Sequence, residues 1–138
     1  MKQYRDSLNI RTSGKSFSPV TSEVAELVEA SGIESGICTL FLRHTSASLV
    51  IQENADPDVL RDLAAFLARL VPEDGRYTHG MEGPDDMPAH IRTALTSTSE
   101  HIPIANGRLM LGTWQGIYVW EHRDRPYTRE LLVHAIGE

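Results

Sequence analysis

Residues 101–120 read HIPIANGRLMLGTWQGIYVW. Asn106-Gly107 stands between HIPI and RLML, and this pair favours the two-residue turn of an antiparallel hairpin. TWQGIYVW follows as an aromatic and β-branched run, and LLVHAI near the end of the chain reads as a further strand. The last part of the sequence, from residue 101 on, therefore predicts an antiparallel sheet. The same stretch argues against a nucleotide cradle. Its Gly-rich tract, GTWQG, lies within strand-like sequence, and no Walker loop or Gly-x-Gly-x-x-Gly occurs elsewhere.

Working outward, residues 2–12 alternate and predict a strand. Ser18-Pro19 is expected to open a helix with proline in its first turn. Val20, Val24, Leu27 and Val28 recur at helical spacing, and Gly32 is expected to end the element. Ile37–His44 is short and mostly apolar, as a buried strand would be, and Ser48–Gln52 can form another. Asp56-Pro57 opens a second helix with a broad stripe of Val59, Leu60, Leu63, Phe66, Leu67 and Leu70, closed by Pro72. Pro88 sits in the first turn of a third helix whose apolar positions are Met87, Ile91, Ala94 and Leu95. Strands at the start, middle and end with helices between predict an α+β fold, about three helices on largely antiparallel sheets, in one domain spanning 1–138.

The 138 residues suffice for a core without staples, and 41% apolar with 23% charged residues is ordinary for a globular chain. A formal charge of −6, with only Lys2 and Lys15 as lysines, argues against nucleic-acid binding. No apolar run reaches the roughly 20 residues of a membrane span, and the first residues are polar, so a cytoplasmic location is expected. Cys38 is alone, within GICTLFL, and reads as a buried small residue.

Residues 77–92, YTHGMEGPDDMPAHIR, crowd two histidines and three carboxylates around glycines and prolines. Three of the six histidines stand in unusual settings. His44 follows an apolar strand and shares a face with Cys38, Leu40 and Leu42. His79 precedes Gly80 in an acidic loop. His90 lies in the first helical turn, where the helix dipole disfavours imidazolium. Each alone reads as a structural histidine or a loop residue, and Asp86 alone reads as an N-cap acceptor. Combined, they make a candidate metal set, because three neutral imidazoles with an open position are common at catalytic sites. Glu53, Glu82 and Asp86 are available to orient ligands or act as general base. The spacing is not a compact signature such as His-Glu-x-x-His, so structural histidines and a metal site both stay open. Ser46 and Ser48 lack a Gly-x-Ser-x-Gly context and read as backbone-bonding hydroxyls. His101, His122 and His134 are given no role.

Three blocks carry a family likeness: HTSASLVIQENADPDVLRDL at 44–63, YTHGMEGPDDMPAHIR at 77–92 and IPIANGRLMLGTWQGIYVWEHR at 102–123. In this order and separation they resemble the YjbQ family, whose members are often labelled secondary thiamine-phosphate synthase. The resemblance implies a homotrimer of compact α+β domains. It also implies a cleft where His44, His79 and His90 hold a divalent metal, in the first instance zinc. Glu53 and Asn54 match the family's Glu-Asn pair, and Asp62, Glu82 and Gly83 match other recurrent positions. Gln115 is a further cleft candidate, and Trp114 is assigned to core and subunit packing. The sequence departs at Ser97 and through Pro84–Pro88.

By this resemblance the expected activity is thiamine phosphate formation. A pyrimidine methyl diphosphate would join a thiazole phosphate with release of pyrophosphate, aided by a metal on His44, His79 and His90. Arg43 and Arg92 are available for a phosphate, though each reads first as a surface charge. Two alternatives share the same residues. One is metal-assisted hydrolysis of a small substrate with Glu82 or Glu53 as base. The other is a non-catalytic trimer that binds metal or metabolite.

Overall fold

The computed structural model describes residues 1–138 in full. Eight strands and three helices follow in the order β1 (Lys2–Arg11), β2 (Ser16–Pro19), α1 (Thr21–Ser31), β3 (Ser35–Leu42), β4 (Ala47–Glu53), α2 (Pro57–Leu70), α3 (Asp86–Leu95), β5 (Ser99–Ala105), β6 (Arg108–Leu109), β7 (Gln115–Glu121) and β8 (Thr128–Gly137). They form a five-stranded sheet, β1-β8-β3-β5-β6, and a three-stranded sheet, β2-β7-β4. Every strand pair is antiparallel. The α+β expectation holds. No helix is long and apolar enough to cross a membrane.

The hairpin forms where Asn106-Gly107 placed it, with Ala105 opposite Arg108. Both turn residues have positive φ, 52° and 73°, which Asn and Gly tolerate best. Its second arm stops at Leu109, shorter than RLML suggested: Met110 N–H still reaches its in-register partner Pro103 O at 2.9 Å, but proline has no N–H to return the bond.

The main core lies between the two sheets and α1. Val24 and Val28 of α1 meet Cys38, Leu40 and Leu42 of β3, Leu49 of β4 and Ile117 and Val119 of β7. Cys38 is buried, and that burial pushes its thiol up to about 11. Ser18-Pro19 does not open α1. It ends strand β2, where Pro19 pairs with Tyr118, and the helix starts at Thr21. Proline fits there because β2 is a sheet edge, so its missing N–H costs no ladder bond.

The other two helices differ from expectation in what they bury. Within α2 only Leu67 is buried, while Phe66 and Leu70 are more than half exposed. In α3 the predicted stripe of Met87, Ile91, Ala94 and Leu95 is not the buried face. Asp86, Pro88, Ala89, Arg92 and Thr93 are. Polar side chains turn inward there because bonding partners await them, as the site shows.

Candidate functional site

The site is built where α3 begins. Gly83, at φ 109°, lets the loop after His79 turn into the helix, and Asp86 N–H bonds back to Gly83 O at 3.3 Å. The N-cap is Asp85, without a side-chain cap bond, so the N-cap role expected of Asp86 is corrected. Asp86 instead sits within the first turn and is 4% exposed. Its Oδ2 lies 2.6 Å from His79 Nε2 and 3.2 Å from His90 Nε2, and its Oδ1 pairs with Arg123 Nη1 at 2.8 Å. His90 follows Asp86 by one helical turn, which puts both on one face.

Arg123 fixes this corner. Beyond Asp86, its Nε donates to Asp85 Oδ2 at 2.8 Å and its Nη2 to Glu82 O at 3.0 Å. Three contacts from one planar fork hold loop and helix start together. Burial would raise the Asp86 carboxyl, but the bonds from His79 and His90 and the Arg123 charge outweigh it and hold the acid below its ordinary range. Asp86 is therefore an ionised acceptor.

The proton inventory at His90 decides the chemistry. Its Nδ1 lies 2.9 Å from Thr45 O, and a carbonyl only accepts, so Nδ1 carries the hydrogen. His90 Nε2 then faces the ionised Asp86 Oδ2 at 3.2 Å, an approach that a proton on Nε2 or a bound cation equally satisfies. An imidazole held by a backbone carbonyl with its other nitrogen free is the arrangement metal-ligating histidines adopt. His79, Asp86 and His90 offer ligand atoms all within 4.8 Å of one another. The His79 side chain is 45% exposed, so the set opens to solvent on its side.

His44 stands apart from this group. Its Nε2 accepts the Glu130 N–H at 2.8 Å, and its Nδ1 faces Arg129 Nη1 at 3.5 Å. Burial and then the Arg129 charge lower its affinity for a proton, so it is neutral, but its accepting nitrogen is already used. The expected set of three imidazoles becomes two imidazoles and a carboxylate. His44 does share a cleft of about 730 Å³ with His90, Arg43, Thr45 and Thr93. In that wall the buried Thr93 Oγ1 has no partner.

The remaining expected residues lie elsewhere. β4 and β7 pair Ala47 with Glu121 at one end and Glu53 with Gln115 at the other. Thr45 and Arg123 flank the first end, so Glu53, Asn54 and Gln115 sit six strand residues away, about 20 Å. Glu53 Oε2 accepts N–H bonds from Ala55 and Asp56 at the approach to α2. Asn54 Nδ2 donates to Thr113 O and Gln115 O, and Gln115 Oε1 accepts from Gly112 N–H. These are loop-holding bonds, and within one chain none reaches the histidine cluster. Glu53 as its base is thereby corrected. Asp62 is exposed on α2. Glu82 is exposed on the loop beside the cluster, its backbone carbonyl held by Arg123. Trp114 is 63% exposed and has no core role.

Sequence reasoning missed Arg123, Arg129 and Glu121, which together support the corner. Glu121 is fully buried; its Oε1 accepts from Arg129 Nε at 2.7 Å and Thr12 Oγ1 at 2.6 Å, and its Oε2 also pairs with Arg129. Arg129 Nη2 reaches Ser46. The available signal was three charged or polar residues, Glu121-His122-Arg123, running on from an aromatic strand.

The comparisons with known proteins agree with this architecture. Residues 6–138 match the family described as UPF0047 protein YjbQ-like. The UPF0047 protein sll1880 of Synechocystis is 64% identical, covering 99% of this chain and 94% of that one. YjbQ of Escherichia coli O157:H7 is 40% identical over 98% of this chain and 99% of its own length. A YbjQ-like protein of unknown function from Sulfolobus solfataricus superposes with a TM-score of 0.92 at 26% identity, covering 99% of both chains. An uncharacterised conserved protein from Clostridium acetobutylicum gives 0.85 at 41% identity, covering 96% of this chain and 98% of that chain. Sequence blocks, sheet order and matched length converge, and the chain belongs to the YjbQ (UPF0047) family.

Proposed function

We propose that the protein is a metal-dependent enzyme acting on a small phosphorylated substrate, with His79, Asp86 and His90 as the metal-holding residues. The observation that carries this reading is the convergence of three ligand atoms: His90 Nδ1–H donates to Thr45 O, which leaves Nε2 as the ring atom that meets Asp86 and His79 within 4.8 Å. A divalent metal, zinc in the first instance for such a donor set, would supply charge neutralisation for a leaving diphosphate. The cleft beside His90 offers room for the substrate, with Arg43 and Thr45 at the wall. Glu82, exposed on the loop that follows His79, is the carboxylate we assign to take a proton.

The reaction that the family likeness supplies is thiamine phosphate formation. The thiazole nitrogen forms a bond to the pyrimidine methylene carbon as the carbon–oxygen bond to diphosphate breaks, and pyrophosphate leaves. The chain's part is to hold the two reactants in line and to stabilise the leaving charge. The family likeness also points to a homotrimer, and the outward Phe66, Leu70 and Trp114 are apolar surface a partner subunit could cover.

Metal analysis of the purified protein, alongside His90→Gln and His44→Ala, tests the ligand set. His90→Gln should lose most of the bound metal, and His44→Ala should keep it. Loss in His44→Ala with retention in His90→Gln overturns the assignment. Pyrophosphate release that requires the thiazole partner marks the synthase, whereas release without it marks hydrolysis. Glu82→Gln with metal retained and turnover lost supports catalysis over simple binding. Sedimentation equilibrium measures the assembly.

A further inference from the structure

A second cavity lies on the other side of α3. Arg92 follows His90 by two residues, about 200° around the helix, and so faces away from the histidine cluster. It is 5% exposed. Its place in the interior corrects the expectation of a surface charge. Its Nη2 donates to Val71 O at 2.8 Å, its Nε has no partner, and no carboxylate pairs with it. A buried guanidinium without a counter-ion is costly, and such charges are normally paired.

The cavity beside it holds about 200 Å³ between α2 and the β2–β7 surface. Phe17 and Trp120, stacked at 4.5 Å between ring centroids, and Leu60 and Ala64 make its walls apolar. The other charges at its edge are already satisfied. Lys15 pairs with Glu73 and Asp124, Arg61 with Asp58, and Glu121 with Arg129. One free cation therefore meets one apolar slot. An engineered apolar cavity of about 150 Å³ accepts benzene, so a slot of this volume takes a ligand with a single ring.

We propose that this slot is a second binding site, distinct from the histidine cluster, for a single-ring organic anion. Its carboxylate or phosphate head group pairs with Arg92, and its ring packs beside Phe17 and Trp120. The site needs no metal and does not depend on the function proposed above. The two head groups are the same chemistry toward a guanidinium, which donates charge-assisted N–H bonds to either.

The test uses the full-length protein in EDTA, carrying Trp114→Phe so that Trp120 is the sole tryptophan. Benzoate, phenyl phosphate, inorganic phosphate and neutral benzamide are titrated against Trp120 fluorescence. Saturable change is expected with benzoate or phenyl phosphate, at least about tenfold tighter than with benzamide. The tighter of the two names the head group. Inorganic phosphate should bind more weakly than either. Arg92→Met should weaken the preferred anion by about tenfold or more and erase its advantage over benzamide, while His90→Gln leaves binding unchanged. Equal binding of benzoate and benzamide to the parent protein overturns the proposal. So does an unaltered affinity in Arg92→Met, or no saturable response because a second copy of the chain already fills the slot. Should Arg92→Met fail to fold, the comparison of benzoate with benzamide still decides.

Discussion

The two sides of the β2-β7-β4 sheet are packed on different principles. On one side, α1 and its N-cap Val20 together contribute four helical-spaced apolar residues, and Val20, Val24 and Val28 disappear into a sealed hydrocarbon core with both sheets. On the other, α2 carries a six-residue apolar stripe and buries only Leu67, in a small cluster with Val71 and Trp120. Phe66 and Leu70 face outward. The side with the stronger apolar pattern has the smaller core, and its interior holds Arg92 and His122. An amphipathic stripe identifies which face of a helix is apolar; it does not say that the same chain covers it.

Four measurements can break or sharpen this contrast. The largest effect is expected at Glu121→Gln, which leaves Arg129 buried beside a neutral amide. Removing one partner of such a pair costs about 3–5 kcal/mol. Urea unfolding should show this loss, and a double variant that also carries Arg129→Met should recover much of it. The pair closes the margin of the α1-side core, between the two sheets, and a loss below about 1 kcal/mol would mean that charge pairing does not hold that margin together.

Next comes Leu40→Ala in the α1-side core, with an expected cost of about 2–5 kcal/mol from lost burial and the cavity left behind. Leu67→Ala in the small cluster should cost less, because an open slot already adjoins it. Equal costs would erase the distinction between the two sides.

The third is a pH effect. Burial, and then the Arg92 charge, lower the His122 pKa to about 3, whereas an unfolded histidine titrates near 6.5. Between those values the unfolded chain binds the extra proton, so stability rises with pH and falls on acidification. The slope is about 1.4 kcal/mol per pH unit for one proton. Urea midpoints from pH 7 down to pH 4 should show it, and His122→Gln should flatten it. Unchanged curvature in that variant would remove His122 as the cause.

The smallest effect is expected at Leu70→Ser, within about 0.5 kcal/mol for the isolated subunit because the side chain is largely exposed. If α2 is covered by a partner subunit, the same change should instead shift the association constant. Unfolding measured over a range of protein concentrations separates the two.

Local chemistry was readable in the sequence where it acts over a few residues. The Asn106-Gly107 turn, the Asp56 cap with Pro57 following, and the Gly32 stop of α1 are such cases, and all three form. The proximity of His79 and His90 was also within reach, because only ten residues, with two glycines and two prolines among them, separate the two. What failed was long-range pairing. Glu130, 86 residues from His44, supplies the amide that uses its lone pair. Arg123 reaches Asp85 across 38 residues. The inward face of α3 was misread because its polar residues find partners, or a cavity, that only the assembled fold provides.

The outer strand β1 shows how this surface stays selective. Ten residues long, it pairs on one side only, with β8, and its other edge is open. Lys2, Arg5, Asp6 and Arg11 are exposed along it. A foreign strand docking there would have to strip water from alternating charges, so fibril-like growth by edge-to-edge addition is discouraged. On the other sheet, Pro19 interrupts the β2 margin in the same sense. Approach along either of these margins is thereby disfavoured, and the hydrogen-bonded framework of the sheets stays intact.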